Sequence, residues 1–180
     1  MIRLFVAVDL PETVRTRLAG LCAGVPGAKW VAPENMHLTL RFIGDVDDTL
    51  AIDISETLGR IHAPAFEFRL GEVGHFGSRG KVRALWVGIE ACAALEHLHD
   101  KIESALVRVG IKPESRKFTP HVTLARLKDA RLSRVRDFLG TQEPFSAGPV
   151  PVDSFALYSS YLARDGAIHR TEARYVLDVA

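Results

Sequence analysis

Two copies of a short pattern, His-x-Thr-x with an apolar residue at each x, place the strongest constraint on how this chain of 180 residues can fold. The two strings are His37-Leu38-Thr39-Leu40 and His121-Val122-Thr123-Leu124. They lie close to half the chain length apart, and each follows a turn that contains proline and begins a stretch with strand periodicity. The repeat therefore predicts two similar halves, each with one His-x-Thr-x strand.

Alternation along a strand determines where the polar side chains of each string point. Neighbouring residues of a strand face opposite sides, so His37 and Thr39 share one side while the apolar residues face the core. The same holds for His121 and Thr123. If a pseudo-two-fold axis relates the halves, the four polar side chains line a single cleft.

Hydrophobic periodicity predicts alternating strands and helices along the whole chain. Because several strands are joined by short turns, the sheets should be mixed or antiparallel, with helices on their outer sides. We therefore predict an α+β fold, a single domain over 1–180, with two pseudo-symmetric lobes around a central cleft. Predicted strands span 3–9, 29–31, 36–43, 66–70, 84–89, 121–127, 152–160 and 171–179, and predicted helices begin near 11 and 47 and cover 95–109 and 133–139.

Charge and composition exclude several classes of protein. Lys plus Arg number 23 and Asp plus Glu 22, so the chain lacks the basic field that tight, non-specific binding to long nucleic acid requires. A local basic cluster could still bind a small anion or one RNA end. Cys22 and Cys92 form no close pair of the kind that binds zinc, and no apolar run approaches the roughly 20 residues of a membrane span. We expect a cytoplasmic monomer that does not contact a membrane.

Two imidazoles and two hydroxyls in one cleft suit phosphoryl chemistry. One neutral histidine can take a proton from water while a second, protonated histidine gives a proton to the departing oxygen. The ordinary pKa of histidine, about 6.5, allows both forms near neutral pH. Threonine hydroxyls can hold the non-bridging oxygens and position the phosphorus. This chemistry requires no metal and no cofactor.

Two simpler readings compete with this one. A single His-x-Thr-x string is more often structural than functional, since both residues are common in half-buried strands; the repetition favours function. A zinc site would need a third ligand beside His37 and His121, and no candidate lies at a recognisable spacing.

Longer segments around both strings resemble one family. The sequence WVAPENMHLTLRFIG at 30–44 is similar to the first motif of the two-histidine (2H) phosphoesterase superfamily, in its bacterial RNA 2',3'-cyclic phosphodiesterase branch. Early members of that branch were described as 2'-5' RNA ligases. The segments RLFVAVDLP at 3–11 and TPHVTLAR at 119–126 and, more loosely, LYSS at 157–160 resemble the same branch.

This resemblance implies a reaction and a role for each site residue. Water opens a 2',3'-cyclic phosphate at an RNA end or on a small cyclic nucleotide to a 2'-phosphate, and the 3' oxygen leaves. By motif position, His37 is the general acid and His121 the general base, Thr39 and Thr123 hold the phosphate oxygens, and Arg126 adds positive charge. Residue spacing alone does not distinguish the acid from the base.

Strand alternation raises a question about the arginine. Arg126 follows His121 by an odd number of residues, so its role requires a bulge or a bend in the strand. Arg41 follows His37 by an even number and shares the face of His37 by period alone. Arg41 is therefore a second candidate for substrate binding.

Several other residues could belong to the site. The Gly-rich, basic loop 71–83 carries His75 and Phe76 and either contacts RNA or is a solvated hairpin tip. Phe42 and Trp86 are expected in the core, and His169, beside a predicted turn, is expected to be exposed.

Two other functions remain open. The same site could act on other cyclic or 2'-linked phosphodiesters, including 2'-5' RNA ligation in reverse. Alternatively, the chain could bind RNA ends without catalysis, although the presence of both histidines and both threonines disfavours this.

Overall fold

The computed structural model describes residues 1–141, 144–164 and 166–179. A short 3₁₀ turn, Pro33–Asn35, precedes the third strand. The strands are β1 Ile2–Asp9, β2 Lys29–Trp30, β3 His37–Val46, β4 Phe66–Ser78, β5 Lys81–Ile89, β6 His121–Arg131, β7 Ala147–Val152, β8 Ser154–Ala163 and β9 Gly166–Val176. The helices are α1 Glu12–Ala19, α2 Asp48–Leu58, α3 Ala93–Arg108 and α4 Leu132–Thr141.

All of these strands form one sheet, in the order β7-β4-β5-β6-β3-β1-β8-β9. Strand β2 lies outside this order and pairs with β6. Neighbouring strands are antiparallel throughout. The order is symmetric about the junction of β6 and β3, because β5 and β1 flank this pair and β4 and β8 follow. The predicted α+β fold of two pseudo-symmetric lobes is confirmed, and both His-x-Thr-x strands lie at its centre.

The helices pack on one face of the sheet. In β1, Leu4 and Val6 face the large core to which all four helices contribute. Phe5 faces the other way and forms a small separate cluster with Ala7, Ala156 and Tyr158. The sheet face without the main core is therefore the face of the cleft. Among the described residues, no helix has both the length and the apolar character to cross a membrane.

The basic segment predicted as loop 71–83 is instead the end of a long hairpin. Strands β4 and β5 continue through it and are joined at Arg79 and Gly80. Both turn residues have positive φ, 53° and 73°, as in the tight turns that match the twist of a two-stranded ribbon. Polar residues and glycines made this segment look irregular in sequence, whereas pairing with the neighbouring strand keeps it extended.

Candidate active site

The two His-x-Thr-x strands lie side by side at the centre of the sheet. Leu38 of β3 pairs with Val122 of β6, and both side chains are fully buried in the core. The residues on either side of each must therefore point to the cleft face. The side chains brought together on that face are His37, Thr39, His121 and Thr123.

A backbone carbonyl orients the imidazole of His121. Its Nδ1 lies 2.6 Å from the carbonyl oxygen of Thr119, so Nδ1 carries the proton that is donated and Nε2 is left for a ligand. Burial lowers the pKa of His121 below 6.5, the bond to Thr119 opposes that shift, and the charge of Arg126 lowers the pKa further. The ring is therefore neutral near pH 7 and able to accept a proton.

His37 packs against two aromatic rings. Its ring lies 4.9 Å from that of Phe5 and 6.3 Å from that of Tyr158, and the rings of Phe5 and Tyr158 lie 5.2 Å apart. Burial against these rings lowers the pKa of His37 to about 4, with a further contribution from the charge of His169, while a hydrogen bond with the backbone of Asn35 and the charge of Asp9 act in the opposite direction. The same packing that fixes the ring thus disfavours its protonation.

His169 is part of the site, contrary to the expectation that it is exposed. Its ring lies edge-on to His37 at 5.4 Å and to Phe5 at 5.0 Å, and its Nδ1 is buried. The reason is strand pairing: His169 faces Ser160 in the β8–β9 ladder, which directs it to the side of Tyr158. This long-range pairing has no local signal in the sequence.

A polar cavity of about 360 Å³ adjoins His37. Within it Tyr158 donates a hydrogen bond to Asp9, and Arg174 lies 2.6 Å from the same carboxylate. Burial raises the pKa of Tyr158 to about 12, so this phenol stays protonated and leaves proton transfer to the histidines. The residues around the cavity include Asp9, Arg15, His37, Tyr158, His169 and Arg174.

A bulge turns Arg126 toward the cleft, as its predicted role requires. Two successive residues of β5 pair with the β6 residues on either side of Leu124, so Leu124 is the extra residue of the bulge. Leu124 and Ala125 are both buried. Alternation then resumes with Arg126 exposed on the side of His121. Its charge lowers the pKa of both His37 and His121, which places it within electrostatic reach of both rings.

The prediction that Arg41 shares the face of His37 is wrong. Strand β3 has its own bulge at Leu40, where the register with β1 shifts. Arg41 therefore turns to the helix side, where it is only 8% exposed. Its guanidinium lies 2.5 Å from the Glu103 carboxylate and donates to the carbonyl of Lys112 at 2.7 Å.

Two aromatic residues expected in the core lie on the cleft face instead. The bulge at Leu40 leaves Phe42 51% exposed, and Trp86 alternates with buried residues of β5 and sits 6.1 Å from the ring of His121. Phe76 of β4 meets His121 edge-on at 4.8 Å. Each histidine therefore has its own aromatic surroundings, contributed by strands distant in sequence.

Five of the six predicted site residues lie on the cleft face of the sheet, whereas Arg41 lies on the face that packs against the helices. Among the described residues, no group of three or more His, Cys, Asp or Glu side chains is arranged to hold a metal ion.

Two His-x-Thr-x strands at the centre of one antiparallel sheet define a phosphoesterase of the two-histidine class. The family model described as LigT like Phosphoesterase matches residues 8–86 and again 87–169, one match for each string. The chain belongs to this family.

Named relatives and solved structures agree with this assignment. The chain is 40% identical over 150 residues to the RNA 2',3'-cyclic phosphodiesterase of Aeropyrum pernix, covering 82% of this chain and 85% of that protein. It is 33% identical to the enzyme of the same name from Thermotoga maritima, over 93% and 91% of the two chains. It superposes on E. coli LigT complexed with 3'-AMP with a TM-score of 0.81 at 32% identity, covering 98% of each chain.

Proposed function

We propose that this protein hydrolyses RNA 2',3'-cyclic phosphate ends to 2'-phosphomonoesters by acid–base catalysis between His37 and His121. The observation that carries the proposal is the placement of both rings, each beside a threonine, on one face of two adjacent strands. Because both strings belong to one chain, we propose that a monomer is the active unit.

The proposed reaction is a single in-line displacement at phosphorus. His121 accepts a proton from water as the water oxygen bonds to phosphorus, the bond from phosphorus to the 3' oxygen breaks, and His37 donates a proton to that oxygen. The Nε2 of His121 is free to accept because its Nδ1 is bound to a carbonyl. Family resemblance, and not geometry, supplies the order of acid and base.

The negative charge of the substrate helps to protonate the general acid. Burial lowers the pKa of both histidines, so the general acid must gain its proton against that shift. A bound phosphate monoanion favours the protonated form of a nearby imidazole. Thr39 and Thr123 would donate to the non-bridging oxygens, and Arg126 would balance the charge that develops on them.

The names of the relatives support this substrate class but do not specify which phosphodiesters within it are hydrolysed. Two carry the name RNA 2',3'-cyclic phosphodiesterase, and E. coli LigT has been crystallised with 3'-AMP. The same site could act on cyclic mononucleotides or on 2'-linked diesters, and microscopic reversibility allows 2'-5' joining. Rates on a panel of these substrates would separate the readings.

Product analysis tests the proposal directly. An oligoribonucleotide with a 2',3'-cyclic phosphate end, incubated in ¹⁸O-water with excess EDTA, should yield a 2'-phosphate that carries one ¹⁸O. Mass spectrometry measures the label, and ³¹P NMR distinguishes 2'- from 3'-phosphate. A 3'-phosphate product would reverse the proposed geometry. Activity that EDTA abolishes and added metal restores would contradict metal-independent catalysis, and binding without product would favour a non-catalytic module.

Changing Arg126 to Gln should lower kcat/KM by about 10- to 100-fold, as expected for loss of hydrogen bonds to a charged group. It should also move the pH profile of kcat/KM to higher pH, because Arg126 lowers the pKa of both histidines. The wild-type optimum should lie below pH 6.5, since the pKa of His37 is about 4 and that of His121 is lowered from 6.5. Arg126→Lys is the matched control: it retains the charge and should retain the optimum. An unchanged profile and rate in Arg126→Gln would remove Arg126 from the site.

A further inference from the structure

Cationic side chains continue from Arg126 along the cleft face of the sheet. Arg126 and Lys128 flank Leu127, and Leu127 is buried in the main core on the helix side. Alternation along β6 therefore places both cations on the cleft face. In the neighbouring β5, Lys81 precedes Val82, which is buried in the same core, so Lys81 also lies on the cleft face.

Strand pairing adds two more cations to this face. Lys29 of β2 pairs with Arg126, and Arg131 of β6 pairs with Lys81. Residues directly opposite each other in an antiparallel pair of strands project to the same face. All five side chains are exposed, and together they form a cationic strip: Lys29, Lys81, Arg126, Lys128 and Arg131. From Arg126 to Arg131 the strip extends roughly 15 Å along β6, at about 3.3 Å per residue.

Both strand pairs in the cationic strip join like charges, Lys29 with Arg126 and Lys81 with Arg131. Like charges directly opposite each other destabilise a sheet. In the part of the chain that the structure describes, none of the five side chains has a carboxylate within ion-pair distance. Strands β2, β5 and β6 contain six Lys and Arg but one acidic residue, Asp129. The fold therefore tolerates a repulsion that a bound polyanion would relieve.

The charge along β5 changes sign from one end of the cleft to the other. Lys81 begins the strand, whereas Glu90 follows its last residue. Glu72 of β4 lies beside that same end, and both glutamates are exposed. A polyanion whose end lies between the catalytic histidines is therefore attracted along the cationic strip and repelled in the opposite direction.

Resting on the proposed function, we propose that the cationic strip binds the phosphodiester backbone of the RNA on the 5' side of its cyclic phosphate end. The catalytic histidines and threonines account for the terminal phosphate alone, whereas an RNA chain brings a row of further phosphates that a row of cations can bind. Lys and Arg contacts to phosphates carry no sequence information, so the strip adds affinity for any RNA sequence. The charge of the whole chain is nearly balanced, which confines this attraction to the stretch beside the site. The strip thus makes the protein selective for RNA ends over cyclic mononucleotides.

The test compares a long substrate with a short one. The measured quantity is the ratio of kcat/KM for hexaadenylate with a 2',3'-cyclic phosphate end to kcat/KM for adenosine 2',3'-cyclic phosphate. In the triple variant Lys81→Gln, Lys128→Gln, Arg131→Gln this ratio should fall by about 10- to 100-fold at low salt, because three phosphate contacts are lost. The rate on the mononucleotide should stay that of wild type. In a plot of the logarithm of the ratio against the logarithm of salt concentration, the slope should become shallower by about 2, at roughly 0.7 per lost contact.

A matched control removes the same charge from the other side of the molecule. The variant Arg60→Gln, Lys101→Gln, Arg108→Gln neutralises three cations around a groove on the helix side, and its ratio should equal that of wild type. An equal fall in this control would assign the effect to net charge and overturn the strip. A ratio unchanged in the strip variant, or a wild-type enzyme that uses both substrates equally at low salt, would also overturn it while leaving the hydrolase intact.

Two further measurements separate the strip from the fold and from the reaction. Urea unfolding should show the strip variant to be at least as stable as wild type, because the variant removes the repulsion between Lys81 and Arg131. Lower stability would contradict the repulsion on which the strip is inferred. If wild type turns over neither substrate, the proposed function fails. Fluorescence anisotropy with labelled hexaadenylate that ends in a 2'-phosphate, in wild type and the strip variant, then decides the strip alone: equal affinity and equal salt dependence would overturn it.

Discussion

Changing either His37 or His121 to Ala is expected to lower kcat on RNA 2',3'-cyclic phosphate by about 10²- to 10⁴-fold, the range that general acid–base groups contribute. Each variant removes one proton transfer from the same displacement, so the double variant should lose far less than the product of the two single losses. His62→Ala is the matched control, because the side chain of His62 is 81% exposed and lies outside the site. Full activity in either single variant would rule out the mechanism.

A substrate with a good leaving group separates the acid from the base. In 3'-deoxyadenosine 2'-(4-nitrophenyl phosphate) water displaces 4-nitrophenolate, which leaves without a proton. If His37 is the general acid, His37→Ala should hydrolyse this compound with a much smaller loss than it shows on the cyclic phosphate. His121→Ala should be impaired on both, because water still needs a base. The opposite pattern would exchange the two roles.

The packing of His37 makes a fold control necessary for its variant. The ring covers Phe5, which is only 3% exposed, and alanine would uncover that side chain. His37→Asn fills more of the space, cannot transfer a proton at neutral pH, and should be as inactive as alanine. Near-UV circular dichroism of both variants should match wild type at the assay temperature. A common loss of activity with an unchanged spectrum assigns the effect to proton transfer and not to unfolding.

The repeated strings predicted the centre of the fold because their constraint is local. Alternation within four residues is enough to put a histidine and a threonine on one face, and two copies imply two such strands. The need for a bulge before Arg126 also followed from the sequence, since its odd spacing conflicts with the role that the family resemblance implies. The register shift at Leu124 meets that need.

The predictions that were wrong concern residues whose orientation depends on pairing with a strand that is distant in sequence. A bulge at Leu40 reverses the faces of Arg41 and Phe42, and only the pairing with β1 reveals it. His169 reaches His37 because β9 pairs with β8, far from either string in sequence. Period-two reasoning holds only as far as the ladder is regular, so a residue beyond the first irregularity needs the partner strand to be known.

The corrected position of Arg41 leads to the second large effect, which concerns stability. Glu103→Ala should destabilise the fold by about 3 kcal/mol, since breaking one partner of a buried ion pair leaves the other charge unpaired. Arg41 is 8% exposed, and the Glu103 side chain, at 21%, still borders solvent. Urea unfolding at neutral pH measures the change. Asp45→Ala is the matched control, because its pair with Arg3 is 41% and 46% exposed and such pairs contribute about 0–1 kcal/mol.

A second variant shows whether the unpaired charge is the cause. Arg41→Met combined with Glu103→Ala removes both charges, so the double variant should unfold at a higher urea concentration than Glu103→Ala alone. Below the unfolding transition, Glu103→Ala should retain the KM of wild type, because Arg41 points away from the cleft. If Glu103→Ala kept its stability but raised KM, the arginine would have to act on substrate. A large loss of stability with an unchanged KM would instead show that Arg41 has a structural role. It would then stabilise β3, the strand that carries His37, from the side of the helices.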